Sequence, residues 1–320
     1  MNTKPILIVA GEPFSVFSEI LFKSIKKNKF KKPLVIIASL KLFEEQMRFL
    51  NYKISFNVVN KNFRSNDLKH NKLNFIDINF KFKNFFEKIS SNSNSYNQEC
   101  FDLALKLIKT KKFSGLINGP ISKKHFLKKK FLGITEYIAD KTKIKNFAML
   151  IFNKKLAVSP ITTHIPIKKV HKEITKKKII NHIHIIKKFY KKNFKKDEKI
   201  AITGLNPHCE SNYESSEEEK IIKPALTHLC KLYSYVSGPY PSDSLFMKNN
   251  VKKFDVVVGM YHDQVLTPLK SIYNFEAINI TIGLPFIRIS PDHGPNDKML
   301  GKNKSNPQSL ISAIKFLDSK

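Results

Sequence analysis

Asp255-Val-Val-Val-Gly-Met-Tyr-His-Asp-Gln264 is a short apolar, β-branched run that stops at a polar cluster, and the same design recurs along the chain. Ile200-Ala-Ile-Thr-Gly204 runs into Leu205-Asn-Pro-His208, and Leu156-Ala-Val-Ser-Pro160 runs into Ile161-Thr-Thr-His164. Runs without polar alternation mark strands covered on both faces. Working outward, the same signal predicts strands over Ile6–Ala10, Leu34–Ser39, Leu116–Asn118, Phe147–Phe152, Leu156–Pro160, Ile200–Gly204, Asp255–Met260 and Ala277–Ile282. Helical spacing predicts helices over Ser18–Lys27, Leu42–Leu50, Gln98–Lys109, Lys168–Lys192, Glu217–Leu232 and Pro307–Asp318. Strands alternating with helices specify an α/β protein with a largely parallel sheet. Lys61–Phe86 is polar and weakly periodic and reads as a long connection or insert. No repeat with a period of about 20 to 50 residues interrupts this order.

At 320 residues the chain is long enough for one large or two moderate domains, and its 42% apolar content is that of a globular protein. The formal charge of +31 points on its face to nucleic acid or an anionic surface. The cations are 54 Lys against 3 Arg, dispersed along a chain rich in Asn, Ile and Phe, which is the skew of A+T-rich coding. A nucleic-acid surface would use Arg for bidentate contacts. The lysines therefore read as solvated surface, and no nucleic-acid partner is expected. No apolar run approaches the roughly 18 residues of a membrane span, so no membrane partner is expected either. Met1–Ala10 lacks the features of a secretory leader. Cys100, Cys209 and Cys230 form no CxxC and no even framework. These features together predict a cytoplasmic protein.

In open α/β sheets ligands gather beyond the carboxyl ends of strands, where His164, His208 and His262 all fall. Three imidazoles are a complete protein ligand set for a catalytic divalent metal that keeps positions open for substrate. Each alone could equally be a satisfied loop histidine. Lys270, Asn279 and Arg288 follow soon after, and Arg288 stands out in a chain that almost always uses Lys, since its planar fork suits phosphate or carboxylate. Asp243, in a turn-forming loop, could orient a histidine, accept a proton or simply cap the turn. His171, His182 and His184 lie among the lysines of the longest predicted helix and read as solvated or packed, not as ligands. The ten glycines form no GxG and no phosphate loop. The residues alone thus specify a metal-dependent α/β enzyme acting on a small anion, and they do not specify hydride transfer.

Eight segments carry a resemblance: Gly11-Glu-Pro13, Asn118-Gly-Pro-Ile-Ser-Lys123, Gly133-Ile-Thr-Glu136, Thr162-Thr-His-Ile-Pro166, Gly204-Leu-Asn-Pro-His208, Gly238-Pro-Tyr-Pro-Ser-Asp-Ser-Leu-Phe246, Tyr261-His-Asp-Gln264 and Asn279-Ile-Thr-Ile-Gly-Leu-Pro-Phe-Ile-Arg-Ile-Ser-Pro-Asp-His-Gly294. In this order and over nearly the full length, the chain resembles the 4-phosphohydroxy-L-threonine dehydrogenase family of vitamin B6 synthesis. The resemblance implies two α/β domains around a cleft, similar to isocitrate and isopropylmalate dehydrogenases. Residues 1–125 with 271–320 would form the first, and 126–270 the second, which would carry the metal histidines and the dimer interface. It implies a homodimer with a shared active site, NAD or NADP as cofactor, and one divalent metal (zinc, magnesium or cobalt) on His164, His208 and His262. Thr135, Lys270, Asn279 and Arg288 match the family's substrate contacts. Asp243 and Asp263 are candidates for proton handling or for orienting a ligand. A sister activity on threonate or erythronate 4-phosphate would use the same machinery.

The chain departs from the family pattern at three places. Ile134 stands where the family usually has His. Ser15 and Phe17 replace two glycines of the N-terminal loop, which removes the close backbone approach that glycine allows. Pro295 follows the Asp292-His293-Gly294 turn where Thr is common.

Overall fold

The computed structural model describes residues 3–127, 130–209, 214–273, 277–291 and 293–320. The strands are β1 (Ile6–Val9), β2 (Leu34–Ala38), β3 (Phe56–Val58), β4 (Leu73–Asp77), β5 (Gly115–Asn118), β6 (Ala148–Phe152), β7 (Ala157–Thr162), β8 (Ile200–Thr203), β9 (Val236–Tyr240), β10 (Val256–Tyr261), β11 (Ile278–Ile282) and β12 (Arg288–Pro291). The helices are α1 (Phe17–Lys27), α2 (Leu40–Phe49), α3 (Asn94–Ile108), α4 (Ile134–Lys141), α5 (Ile167–Glu173), α6 (Lys176–Phe194), α7 (Lys223–Leu232), α8 (Ser242–Leu245), α9 (Lys248–Val251), α10 (His262–Tyr273) and α11 (Gln308–Asp318). Two compact units result, Met1–Thr142 with Pro285–Lys320, and Lys143–Leu284.

In the first unit the strand order is β3-β4-β2-β1-β5-β12, and every pairing is parallel. Ile6, Leu7, Ile8, Val9, Ile36 and Ile37 are wholly buried, as strands with helices on both faces require. The second unit is mixed, with order β11-β6-β7-β10-β8-β9. Here β7, β10, β8 and β9 run parallel while β6 pairs antiparallel with both β7 and β11. Its core joins Val158, Ala201 and Val257 of the sheet to Val265, Leu266 and Leu269 of α10.

All eight expected strands form, each shifted by no more than two residues at its ends. The stretch read as a connection, Lys61–Phe86, instead contains β4, which pairs with β2 and β3. Its alternating Leu73-Asn-Phe-Ile-Asp77 was diluted by flanking Lys and Asn, and Asn74 is buried because its side chain donates to the carbonyls of Leu34 and Lys69. The single helix expected over Lys168–Lys192 is two, α5 and α6. The break is Thr175, whose hydroxyl accepts from Lys178 N at 3.2 Å and caps α6. No helix among the described residues is long and apolar enough to cross a membrane.

Candidate functional site

Strands β7, β10 and β8 lie side by side and parallel, so their carboxyl ends share one edge of the second unit. Register pairs Tyr261 with Thr162, which sets His262 and His164 just past the end of adjacent strands. Their ring centroids are 5.8 Å apart. Two imidazoles bound through nitrogen at about 2.1 Å to one tetrahedral ion would place their centroids roughly 5 Å apart, so the pair fits a shared metal with a small adjustment. The His262 Nδ1–Asp263 Oδ1 distance is 2.7 Å. With the proton on Nδ1, the carboxylate accepts it and the lone pair of Nε2 is left for a metal. Asp263 thereby acts on His262 and is itself exposed.

His208 follows β8 in a short turn, Pro207–Cys209, with a left-handed backbone at φ 60° and Cys209 at φ 56°. Two consecutive non-glycine residues in this region are uncommon and are held by their surroundings. The holder is Glu218, wholly buried, whose Oε1 accepts from Leu205 N (2.7 Å) and Asn206 N (2.8 Å) while Oε2 accepts from the Asn206 amide (2.7 Å). Burial pushes the Glu218 carboxyl up, but these bonds outweigh it and hold it below the usual carboxylate value. Gly204 leaves the room this needs, since a Cβ there would meet Cys209 Sγ at 2.6 Å and Glu218 Oε1 at 3.0 Å. His208 is exposed. Among the described residues no three of His, Cys, Asp and Glu come together as a metal cluster, so the chain joins His164 to His262 and leaves His208 on the same edge without closing the triad.

Two side chains to which the sequence assigned no role stitch this edge. Thr162 Oγ1 donates to Met260 O at 2.7 Å, fastening β7 to β10. Gln264 accepts from Met260 N (2.7 Å) and Thr203 Oγ1 (3.0 Å) and donates to Gly204 O (2.8 Å), fastening β10 to β8. Single polar residues at the end of a strand or the start of a helix have no periodicity, and only their position beside the histidines could have flagged them. Lys270, exposed in the last turn of α10, stands eight residues from His262, about 12 Å along the helix. Asn279 lies on β11 with its buried Oδ1 accepting no bond. Asp243 is exposed in the first turn of α8, and its charge reaches the Cys209 thiol, which burial, Glu218 and Asp243 together push up.

In the first unit Arg288 opens β12 and is 0% exposed. Its Nε donates to Asn118 Oδ1 at 2.7 Å and its Nη1 to Thr135 Oγ1 at 3.0 Å. Burial pulls the guanidinium down to about 9, with Glu136 acting against it, so the charge is retained at neutral pH. Thr135, 4% exposed, accepts from Arg288 and keeps its own hydroxyl proton to donate. Beside it Ile134, the first residue of α4, is half-buried.

The N-terminal loop is sealed. Phe14, Val16 and Phe17 are no more than 3% exposed, and the Phe17 ring lies so close to Gly119 that a Cβ there would meet Phe17 Cδ2 at 2.8 Å. Its amides are committed as well, Glu12 N to Pro120 O, Val16 N to Pro295 O and Phe17 N to Ser15 Oγ. This loop does not fit a pyrophosphate against open backbone amides. Asp292 of the expected Asp292-His293-Gly294 turn lies outside the described residues.

Known proteins match this arrangement from end to end. The 4-hydroxythreonine-4-phosphate dehydrogenase of Sulfurihydrogenibium sp. is 37% identical over 319 residues, covering 97% of this chain and 96% of its own. The D-threonate 4-phosphate dehydrogenase of Salmonella typhimurium is 28% identical over 323 residues, covering 99% and 98%. The crystal structure of 4-hydroxythreonine-4-phosphate dehydrogenase from Klebsiella pneumoniae superimposes with a TM-score of 0.85 at 26% identity, covering 98% of each chain. Isocitrate dehydrogenase from Methylococcus capsulatus shares the fold at a TM-score of 0.52 and 10% identity, covering 99% of this chain and 86% of that one. The two-domain α/β architecture expected from the sequence is therefore the observed one. The family described as pyridoxal phosphate biosynthetic protein PdxA matches residues 29–317, and this chain belongs to it.

Proposed function

We propose that this chain is a dehydrogenase that oxidises 4-phosphohydroxy-L-threonine at C3 with NAD or NADP, in pyridoxal phosphate biosynthesis. The product, 2-amino-3-oxo-4-phosphooxybutanoate, is a β-keto acid and decarboxylates to 3-amino-2-oxopropyl phosphate. One observation carries the reading: His164 and His262 stand side by side at the ends of two stitched strands, a small adjustment from the spacing of a shared ion. When bound, a nicotinamide nucleotide supplies the hydride acceptor and a divalent ion supplies a Lewis acid for hydroxyl and carbonyl.

The chain's own residues bind and orient. His164 and His262 hold the ion, and Asp263 fixes the tautomer of His262. His208 completes the set from a second copy in a homodimer with a shared active site, which accounts for its exposure at the same edge. Three imidazoles with no thiolate suit zinc or cobalt, and magnesium less well. The groups suited to the phosphate and carboxylate are Thr135, polarised by Arg288, in the first unit, and Lys270 and Asn279 in the second. Asp243 is the proton acceptor for the hydroxyl. The free thiols of Cys100, Cys209 and Cys230 support a cytoplasmic location.

The sister substrate, D-threonate 4-phosphate, stays in view because Ile134 removes a polar group next to Thr135. The test is reduction of NAD and NADP by the purified chain with each substrate, before and after EDTA. Turnover with 4-phosphohydroxy-L-threonine that vanishes on chelation and returns with zinc or cobalt is expected. Chelator-insensitive turnover would discard the metal, and turnover of the threonate alone would replace the substrate.

A further inference from the structure

We propose that the second unit carries another ligand site, in the cleft between the end of α6 and the segment leading into β8, and that it takes a small phosphorylated amine. The cleft has a volume of about 790 Å³. Lys188, Lys191 and Lys195 stand on its rim, and none of them has an ion-pair partner among the described residues. In a chain with 54 lysines that alone says little. The floor says more, because it is Glu198, 0% exposed, and no other residue donates to either of its carboxylate oxygens.

The walls around Glu198 are already satisfied by one another. Lys187 Nζ, almost fully buried, donates to Asp197 Oδ1 at 2.7 Å and to the main-chain oxygen of Glu198 at 3.0 Å. It also stands 5.3 Å from the centre of the Tyr233 ring. Tyr233 is fixed in turn, its hydroxyl 2.6 Å from His184 Nδ1. Lys187, Asp197, Tyr233 and His184 are thus bonded to one another, while the carboxylate at the bottom has no donor but its own main-chain amide. A buried carboxylate with no donor from another residue is costly, and a ligand ammonium would remove that cost. Burial holds the Glu198 carboxyl up at about 7, so it ionises readily once a cation arrives. An ammonium on Glu198 and a phosphate among Lys188, Lys191 and Lys195 match the two chemistries of the cleft.

The test is isothermal titration of the full chain at pH 7.5 with O-phosphoethanolamine, inorganic phosphate and ethanolamine. O-Phosphoethanolamine should bind about tenfold more tightly than phosphate, since the ammonium adds a charge-assisted bond. Glu198→Gln should erase that preference and leave phosphate binding intact. Lys191→Gln with Lys195→Gln, both at exposed positions, should weaken both ligands by about tenfold and serves even if Glu198→Gln fails to fold. A Lys270→Ala chain should keep the preference, which separates this cleft from the catalytic site proposed above. Equal affinity for the two phosphates in the unaltered chain, a preference that survives Glu198→Gln, or one lost in Lys270→Ala would each overturn the proposal.

Discussion

The loop after β1 and the loop after β8 start from the same plan and end as opposites. Each leaves a parallel strand through a glycine, Gly11 or Gly204, and each rests on a buried glutamate, Glu12 or Glu218. After β8, Glu218 accepts three bonds from Leu205 and Asn206, its carboxyl is held low, and His208 is displayed to solvent. After β1, Glu12 receives Ser93 Oγ at 3.0 Å and the Asn97 amide at 3.3 Å, yet burial prevails and the carboxyl is pushed up. Phe14, Val16 and Phe17 then close the loop. The two buried acids thus differ in sign because burial outweighs the donors at Glu12 and the donors outweigh burial at Glu218. One loop presents its histidine on a frame of hydrogen bonds, and the other closes over itself with apolar side chains.

The widest separation between the two regions should appear in catalysis. His164→Ala and His208→Ala should each lower metal-dependent kcat/KM by roughly 10³-fold or more, the several kcal/mol that a bound Lewis acid supplies. Because His208 is assigned to the second copy, a refolded equal mixture of the two variants should regain roughly a quarter of full activity from hybrid dimers. A mixture as inactive as its parents would place all three imidazoles in one chain.

Stability should respond in the reverse order. Phe17→Ala removes a fully buried ring packed on Gly119 and should cost about 3–5 kcal/mol in urea unfolding. A loss below about 1 kcal/mol would show that the sealed loop is not part of the core. His208→Ala, at an exposed turn, is the matched control and should leave unfolding nearly unchanged.

The glutamates sharpen the contrast through pH. Glu218 sits below its ordinary value of 4.5, so it contributes stability above about that pH and loses it as pH falls through the lowered value. Glu218→Gln should therefore cost on the order of 3 kcal/mol at pH 7 and progressively less in acid. Glu12 sits above 4.5, so stability declines as pH rises from that value, where the unfolded chain releases a proton that the folded chain keeps. Glu12→Gln should gain on the unaltered protein as pH climbs from 4.5 towards neutrality. Unfolding free energies of both variants across pH 3–8 decide it, and slopes of the same sign would refute the comparison.

How much of this was legible beforehand follows from what each residue type announces. β1, β2, β5 to β8, β10 and β11 are short segments dominated by apolar and β-branched residues and could be read directly. β3, β9 and β12 were missed because Phe56-Asn-Val58, Val236-Ser-Gly-Pro-Tyr240 and Arg288-Ile-Ser-Pro291 carry no run of apolar neighbours. α10 was missed because Pro268 interrupts its pattern. The histidines were legible because strand ends are predictable places. Thr162, Gln264 and Glu218 were not, since their roles depend on which strands become neighbours. Nor did the sequence reveal that Arg288 would be wholly buried, with Asn118 and Thr135 as its partners.

The smallest effect is expected at Ile134. It opens α4 next to Thr135 and is half-buried, so a side chain there can reach whatever Thr135 meets. The start of a helix favours a donor that faces an anion, because its own amides already point that way. Ile134→His adds such a donor and should raise kcat/KM for 4-phosphohydroxy-L-threonine by about tenfold, the worth of one hydrogen bond of roughly 1.4 kcal/mol. An equal gain on D-threonate 4-phosphate would mean that the imidazole meets the phosphate or carboxylate both substrates share. A gain on the amino substrate alone would mean that Ile134 had shifted selectivity. No change on either would show that this departure from the family is inert, and that binding at this end rests on Thr135 and the guanidinium behind it.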